Sequence, residues 1–541
     1  MEKKMQALQD ALDKITAQIP EINSSQRTTS LIGHESHDPE TFLQTGAQAD
    51  SSQLIKSWDV VIDPGTGAGA APGSCITSTI DATPPTVGQH LDLVSKGIIS
   101  TESAESYFCV YMDRLDHFVY SILGHDGYDS LDVVRHRSPL LAAAICTVGA
   151  LHSRHNEADY NFCRKELVYL SEKTSIVPNK NLDDARAFCI GSLWLADLAW
   201  PLASLAVRLA TELQLYKSLD KAIQGDRQHY LRARLYYHVY ISDHHASIAF
   251  GRPPLTRESE PIRNAREFLR SKHATEDDAR LVSQVCRWSL LSEIYDTFGV
   301  DIDRPLSAKE VSQVRRLRVS LDSLRAEWSD KFVPNVHVGN YPRKGVSLQY
   351  YFAKLYLCSH AFRGPASPTA VSLPPDLLIE RDEIADTAVA AAMAILRYII
   401  TDAEAQSFLN GLPTYFHVMV AFAFVFLMKV SAQSMLNIRL HEEEVKSLTL
   451  AALSALKVVT CSMHHRHLLV SITASIGDVI PRTQNTEDQS TAVVPDLRHE
   501  MEEPDLLGHD LAFDPYFLST YDFQMHQMMD FDIDNELGND G

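Results

Sequence analysis

Three short groups of histidine and acidic residues in this sequence have the composition of metal-dependent chemistry. The first is Asp243-His244-His245, which has the letters of a metal phosphoesterase motif. That chemistry holds two metal ions and needs further Asp and His ligands, on loops that follow strands. Here the tripeptide falls inside a long helical pattern with no strand before it, so a structural role is favoured for it.

The second group is Cys461, His464, His465 and His467. Only Cys461 and His465 share a helical face, and a structural zinc site wants four converging ligands. Imidazoles are also favourable at a helix C-terminus. The sequence therefore favours a polar helix end over a soft-metal site.

The third group is His152 and His155, close to Glu157 and Asp159. The two histidines lie one helical turn apart and could hold a metal ion. No residue elsewhere in the sequence can be identified as a further ligand, so metal binding by these residues stays an alternative.

Other catalytic patterns are weaker still. His125-Asp126 resembles a phosphohydrolase pair, but Gly124 and Gly127 flank it and favour a turn. The stretch Gly65-Thr-Gly-Ala-Gly69 lacks the lysine of a P-loop. No Gly-x-Ser-x-Gly elbow and no Cys-His nucleophile pattern is present. We expect no catalytic residue, no metal ligand, no cofactor in this chain and no enzyme activity.

The first tripeptide belongs to a helix predicted from Gln228 to Phe250, around which the rest of the chain is organised. Apolar residues recur in it at steps of three or four. Gly251 stands where a helix needs a left-handed residue after its last turn. Pro253 and Pro254 then prevent the helix from continuing.

Helical periodicity also dominates the rest of the chain between residues 91 and 480, and strand signals are nearly absent. The predicted fold is all-α. Residues 21–90 read as a disordered linker rich in Ser, Thr, Gly and Pro. The main predicted helices are 101–120, 182–198, 201–216, 311–328, 348–362, 382–400, 412–435 and 442–463. A break is predicted at Pro201. Pro139 is expected in the first turn of a helix, and Ser307 to Glu310 has the pattern of a capping box.

Charge and cysteine usage restrict the compartment and the partners. The 541 residues contain 49 Lys and Arg against 70 Asp and Glu, a net charge of −21. This balance argues against the bulk of the chain lying along nucleic acid. Eight cysteines without a C-x-x-C indicate a reducing compartment. The apolar run Val418 to Met428 is too short to span a bilayer and predicts a core helix, so no membrane association is expected.

The two ends of the chain have patterns of their own. An a/d heptad seam in residues 1–20 predicts a short dimerisation coil, with a helix docked on the domain as the alternative. Its apolar positions include Met5, Leu8, Leu12, Ile15 and Ile19. Residues 481–541 form a predicted disordered tail, and 498–541 contain twelve acids against one basic residue, Arg498. Aromatic residues are interleaved with these acids, as is typical of activation segments; they include Phe513, Tyr516, Phe517, Tyr521, Phe523 and Phe531.

Arg232 to Pro254 reads R-x-R-L-Y-Y-x-x-Y-x-x-D-x-x-x-S-x-x-x-G-R-P-P. This stretch resembles the regulatory middle region of fungal zinc-cluster transcription factors. Its expected structural positions are Arg232, Arg234, Asp243, Gly251, Arg252 and Pro253. Further stretches match in the same order, at Arg137–Ala150, Leu205–Leu215, Tyr351–Leu357, Leu412–His417 and Phe422–Lys429.

The resemblance implies a nuclear transcriptional regulator, expected to be an activator, with a helical regulatory domain. In the family a zinc-holding module of six cysteines contacts DNA, and this sequence has no such motif. DNA contact would then come from a missing N-terminal module or from a partner. The coil would pair two chains, identical or different, and the tail would bind the transcription machinery. The alternatives are a metal- or small-molecule-binding helical protein (a hydrolase or a sensor) and a coregulator without the cluster that works by dimerisation.

A carboxylate on the buried face of the central helix needs a charge partner. We expect Arg252 or Arg234 to supply it for Asp243 and thereby to lock the helix to its exit loop. Asp243→Ala should therefore lower the melting temperature clearly. An unchanged thermal melt, followed by circular dichroism, would contradict the pairing.

Overall fold

A computed structural model describes residues 91–124, 127–153, 157–176, 181–299, 304–363, 374–432 and 442–477. The regular elements within these ranges are helices, with one isolated bridge between Asn335 and Gly339, so the predicted all-α class is confirmed. The predicted coil at 1–20, the linker at 21–90 and the tail at 481–541 lie outside the described residues. So do His125, Asp126 and His155.

Sixteen α-helices of five residues or more lie within the described ranges, together with a π-helix at Tyr111–Leu115 and a 3-10 helix at Ala265–Arg270. In chain order they are α1 (Thr101–Val110), α2 (Leu131–Arg137), α3 (Pro139–Leu151), α4 (Glu157–Ile176), α5 (Leu182–Trp194), α6 (Ala199–Glu212), α7 (Leu219–Ile223), α8 (Arg227–Ser247), α9 (Glu276–Phe298), α10 (Ala308–Ser329), α11 (Tyr341–Ser359), α12 (Pro375–Thr401), α13 (Ala403–Phe408), α14 (Thr414–Ala432), α15 (Glu442–Thr460) and α16 (Leu468–Gly477).

Side-chain caps start several of these helices, because the first backbone N–H groups of a helix have no partner within it. Ser138 accepts a hydrogen bond from the N–H of Leu141, and Pro139 occupies the first turn of α3 as predicted. Ser307 and Glu310 form the predicted capping box of α10. Local sequence therefore sets these starting points.

The predicted break at Pro201 is wrong. Helix α5 ends at Trp194, a short 3-10 turn follows, and α6 already begins at Ala199. Pro201 lies in the first turn of α6, where its missing N–H removes no intrahelical bond. The chain turns instead at Leu195, whose backbone is extended.

A single large hydrophobic core connects the helices, and α3 is buried along almost its whole length. Helices α12 and α14 are long and apolar enough to cross a membrane by length and composition alone. In the fold, 56% of the most apolar window of α12 and 78% of that of α14 are buried within the domain. Both helices therefore behave as core helices of the kind predicted for Val418 to Met428.

The helix pairs α3–α4, α5–α6 and α11–α12 pack along one another, and α8 packs on α5, α6 and α9. Helix α3 also crosses α1 at very short range. A Cβ atom added to Gly149 would lie 2.4 Å from the carbonyl oxygen of Tyr107. Only a residue without a side chain permits this approach of the two backbones.

We expect Gly149→Ala to lower the free energy of unfolding by about 1–3 kcal/mol, because backbone atoms have to move apart in a closely packed core. Urea denaturation followed by circular dichroism measures the change. Gly477→Ala is the control, since its nearest neighbour would be 3.7 Å away. Its stability should stay within about 1 kcal/mol of wild type. Equal stabilities of the two variants would contradict the close approach.

Candidate functional site

Helix α8 carries the signature identified in the sequence. It begins one residue before the predicted Gln228, and its α-helical part ends at Ser247, before the predicted Phe250. Asp226 caps its start by accepting from the N–H of His229. After Ser247 one 3-10 turn follows, and Gly251 has a φ of +68°, in the left-handed region. The N–H of Arg252 then donates to the carbonyl of Ser247. The predicted glycine stop is confirmed.

The tyrosines of the signature hold the loop that follows α8. The hydroxyl of Tyr237 donates to the carbonyl of Pro261 at 3.1 Å, and that of Tyr240 donates to Glu258. Tyr236 shares a hydrogen bond of 3.2 Å with Ser259. All three contacts fold the exit loop back along the helix from which it leaves.

Asp243 fastens the same loop, although not through Arg234. Its Oδ2 accepts from the N–H of Thr256 at 2.7 Å and from the Thr256 hydroxyl at 2.6 Å. The expected Arg234–Asp243 pair is wrong, since Arg234 points to another carboxylate. Arg252 places its guanidinium over the rings of Trp200 and Phe250, at 5.4 and 5.8 Å from their centroids. The loss of stability expected for Asp243→Ala therefore includes the contacts of Asp243 with Thr256 and Ser247. The alternative partner, Arg252, stays a prediction.

Arg234 forms a buried ion pair with Asp278 at the start of α9. The Nε–Oδ1 distance is 2.7 Å, and the side chains are 5% and 0% exposed. Tyr230 donates to the other carboxylate oxygen at 2.7 Å, and the N–H of Thr275 donates to it at 2.8 Å. A carboxylate removed from water is tolerated when its oxygens are satisfied in this way.

The same guanidinium also holds a strained turn after α1. Tyr120 and Ser121 have φ values of 64° and 54°, which side chains other than glycine rarely adopt. Arg234 donates from Nη1 to the carbonyl of Ser121 at 2.7 Å and from Nη2 to that of Tyr120. One side chain thus ties α8, the start of α9 and this turn together.

Asp277 holds the turn from the opposite side. It accepts from the Ser121 hydroxyl at 2.7 Å and from Arg280 at 2.8 Å. Arg280 also donates to the carbonyl of His117 at 2.9 Å. Burial raises the pKa of the adjacent Asp116 to about 7, although the positive charge of Arg234 opposes this. We call Asp116, Ser121, Arg234, Asp277, Asp278 and Arg280 the central charge network.

The sequence analysis identified Arg234 as a candidate residue but missed the neighbouring carboxylates of Asp277 and Asp278. A usable signal was present in Thr275-Glu-Asp-Asp278, which has the spacing of a capping box. The structure shows this box, with Thr275 as N-cap and Asp278 closing it. The cap residue therefore has a second role as the partner of Arg234.

The Asp243-His244-His245 tripeptide is buried as the structural interpretation requires. His244 shares hydrogen bonds with the carbonyl of Tyr240 and, at 2.7 Å, with the hydroxyl of Ser292. His245 packs against Tyr415, with ring centroids 3.7 Å apart. These contacts are those of a packed helix interior, which supports the structural interpretation of the tripeptide.

The structure brings together histidines that the sequence left apart. The ring of His467 lies 5.6 Å from that of His152 and 4.9 Å from that of His417. His417 was missed, and its only signal was its place in the matching stretch Leu412–His417. Burial lowers the pKa of His152 to about 3 and that of His417 to about 4, and it places that of His467 well below the ordinary value. The rings are therefore neutral at pH 7.

Among the described residues, no group of three or more His, Cys, Asp or Glu side chains is arranged to hold a metal ion. Cys461 is exposed, and His465 faces Glu157 at 3.2 Å. The seven cysteines of the described ranges are free thiols.

No family model matches the chain. The chain is similar to the transcriptional activator of proteases prtT of Emericella nidulans, with 35% identity over 401 residues. The aligned part covers 72% of this chain and 59% of the relative, so the chain spans about three fifths of that protein's length. This similarity agrees with the resemblance to fungal transcription factors that the signature of α8 indicates.

We expect Asp278→Asn to lower the free energy of unfolding by about 3–5 kcal/mol, because it leaves the buried charge of Arg234 without a counter-charge. Denaturant unfolding of the full chain measures the loss. Asp132→Asn is the matched control, because Asp132 is 75% exposed in its pair with Arg135. It should cost less than about 1 kcal/mol. A similar small loss in both variants would contradict the role of Asp278.

Proposed function

We propose that this chain is a fungal transcriptional regulator that activates RNA polymerase II transcription and has no enzymatic role. The observation that carries the proposal is its likeness to a transcriptional activator over 401 residues. That likeness supports a shared type of activity, and the all-α fold built around the signature helix is compatible with it.

The helical domain, in this proposal, regulates activity and does not contact DNA. The basic runs Arg135-His-Arg137 and Arg315-Arg-Leu-Arg318 support this view, because four of their arginines pair with acidic side chains. The pairs are Arg135–Asp92, Arg137–Asp183, Arg315–Glu380 and Arg316–Glu293. A cation already paired with a carboxylate releases fewer phosphate counterions on binding. DNA contact is therefore assigned to a module outside this sequence or to a partner protein.

The ends of the chain supply the remaining proposed functions. The heptad positions Met5, Leu8, Leu12, Ile15 and Ile19 support pairing of two chains. The acidic tail supports binding to an apolar groove of the transcription machinery, because its charges keep aromatic side chains in water until a partner covers them. These activities place the protein in the nucleus.

The relative's name concerns proteases, so promoters of protease genes are the first targets to test for this chain. No described residue selects among target genes. The metal-dependent alternative stays open, because His155, one of its residues, lies outside the described residues. The coregulator alternative differs from the proposal only in which chain contacts DNA.

We expect the chain, fused to a heterologous DNA-binding domain, to drive a reporter strongly and to lose most of that output without residues 499–541. Alanine at Phe513, Tyr516, Phe517, Tyr521, Phe523 and Phe531 should have the same effect, because the aromatic groups make the partner contact. Reporter activity at matched protein levels is the measurement.

Alanine at Ser519, Thr520, Gln524, His526 and Gln527 is the matched control, since it changes the same segment and keeps its aromatic and acidic groups. This control should retain output. A silent chain with an active isolated tail would assign a masking role to the helical domain. A tail that is silent by itself would contradict the activator proposal.

A further inference from the structure

The turn between α15 and α16 is held by two imidazoles that accept hydrogen bonds from the backbone. Nδ1 of His464 accepts from the N–H of Arg466 at 3.1 Å, and Nδ1 of His467 accepts from the N–H of Leu469 at 3.3 Å. Each bond reaches two residues along the chain, the spacing at which Asn and Asp side chains hold a turn. A ring nitrogen that accepts a hydrogen bond carries no proton, so both rings are neutral in this arrangement. We call residues 461–467 the histidine turn.

His467 also caps the start of α16. Its carbonyl accepts from the N–H of Val470 at 2.9 Å, and its ring satisfies the N–H of Leu469. A proton on Nδ1 would remove this acceptor and place a positive charge at the end of a helix that already carries a partial positive charge. His464 would lose its bond to the N–H of Arg466 in the same way.

The two rings are buried between helices. His464 is 6% exposed and His467 is 2% exposed. The ring of His464 lies 5.3 Å from that of Tyr160 in α4, and the ring of His467 contacts those of His152 at the end of α3 and His417 in α14. The histidine turn therefore fastens the start of α16 to three other helices.

The groups around His467 offer no counter-charge to a proton on its ring. His467 faces the imidazoles of His152, His417 and His464, and the cation of Arg114 acts on His152. Burial and these neighbours hold the pKa of His467 well below its ordinary value. A proton on any one of these rings would oppose a proton on the next.

His464 faces Arg466 and His465 on its own turn, and Glu157 at the start of α4. The carboxylate of Glu157 lies 3.2 Å from Nε2 of His465, and both of these side chains are more than half exposed. Water weakens the effect of such an exposed carboxylate on a buried ring. Burial therefore prevails and lowers the pKa of His464 to about 4.

We propose that the histidine turn is a proton-operated switch, which holds α16 against the domain while His464 and His467 are neutral and releases it when they are protonated. Once released, the two imidazoles have the ordinary histidine pKa of about 6.5. The closed turn binds fewer protons than the open one, so its stability is complete above about pH 6.5 and is lost as the pH falls below that value. Since α16 is the last helix of the described ranges, the switch decides how far the fixed part of the chain extends towards residues 481–541.

Hydrogen exchange of the full chain, followed by mass spectrometry in the presence of EDTA to remove metal ions, tests the switch. Observed rates are divided by the intrinsic rate at each pH. We expect the protection of α16 to fall about 100-fold from about pH 7.5 to about pH 5.5, because each released histidine contributes about tenfold. Helix α10, which contains no histidine, should lose much less protection.

The decisive variant combines His464→Asn with His467→Asn, because Asn can accept the same backbone hydrogen bonds and cannot be protonated at these pH values. The protection of α16 in this variant should be nearly independent of pH. His465→Asn is the matched control, since it removes an exposed histidine from the same turn. It should keep the fall of about 100-fold.

Constant protection of α16 in the wild type would overturn the proposal, and so would a fall in the double variant as large as that of the wild type. An equal fall in α10 would mean that the whole domain unfolds, which overturns a local release. If the double variant does not fold, the single variants His464→Asn and His467→Asn decide. Each should keep a fall of only about tenfold, and an undiminished fall in both would overturn the switch.

Discussion

The structure depends most on the buried pair between Arg234 and Asp278. Their side chains are almost fully removed from water, and the hydrogen bonds of the pair reach α8, the start of α9 and the turn at Tyr120 and Ser121. Such a pair adds little stability compared with apolar residues, but losing one partner leaves a buried charge uncompensated. The pair therefore acts as a constraint on geometry. It admits only arrangements in which α8, the start of α9 and the turn at Tyr120 and Ser121 meet.

The signature of α8 divides into two structural tasks. Its tyrosines and Asp243 hold the exit loop, and Gly251 and the prolines decide where the helix stops. Its inward arginine holds the turn after α1. None of these residues forms a catalytic arrangement. The signature of α8 thus has a structural role. The proposed activity belongs to segments outside the helical domain and to the partners that bind this domain.

Much of the fold could be predicted because its signals are local. The apolar periodicity, the cap at Ser307 and the glycine at 251 each act within a few residues, and the observed helices overlap the predicted ranges. Their bounds are less accurate: α11 and α12 begin at Tyr341 and Pro375, ahead of the predicted starts at 348 and 382. The partner of Arg234 lies 44 residues away, and local spacing contains no information about that contact. The neutral rings of His152, His417 and His467 meet from three distant segments for the same reason. Pro201 was misread as a break because a proline in a first turn and one after a helix end look alike without the flanking structure.

The helical domain is a scaffold organised by one buried charge pair, Arg234 with Asp278. A double-mutant cycle with Arg234→Met and Asp278→Asn, measured by urea unfolding of the full chain, tests this most directly. We expect a coupling energy of about 2–3 kcal/mol, because either single substitution leaves the other residue without its counter-charge or without its hydrogen bonds. Losses that add within about 0.5 kcal/mol would contradict it, since residues that do not depend on each other behave in that way.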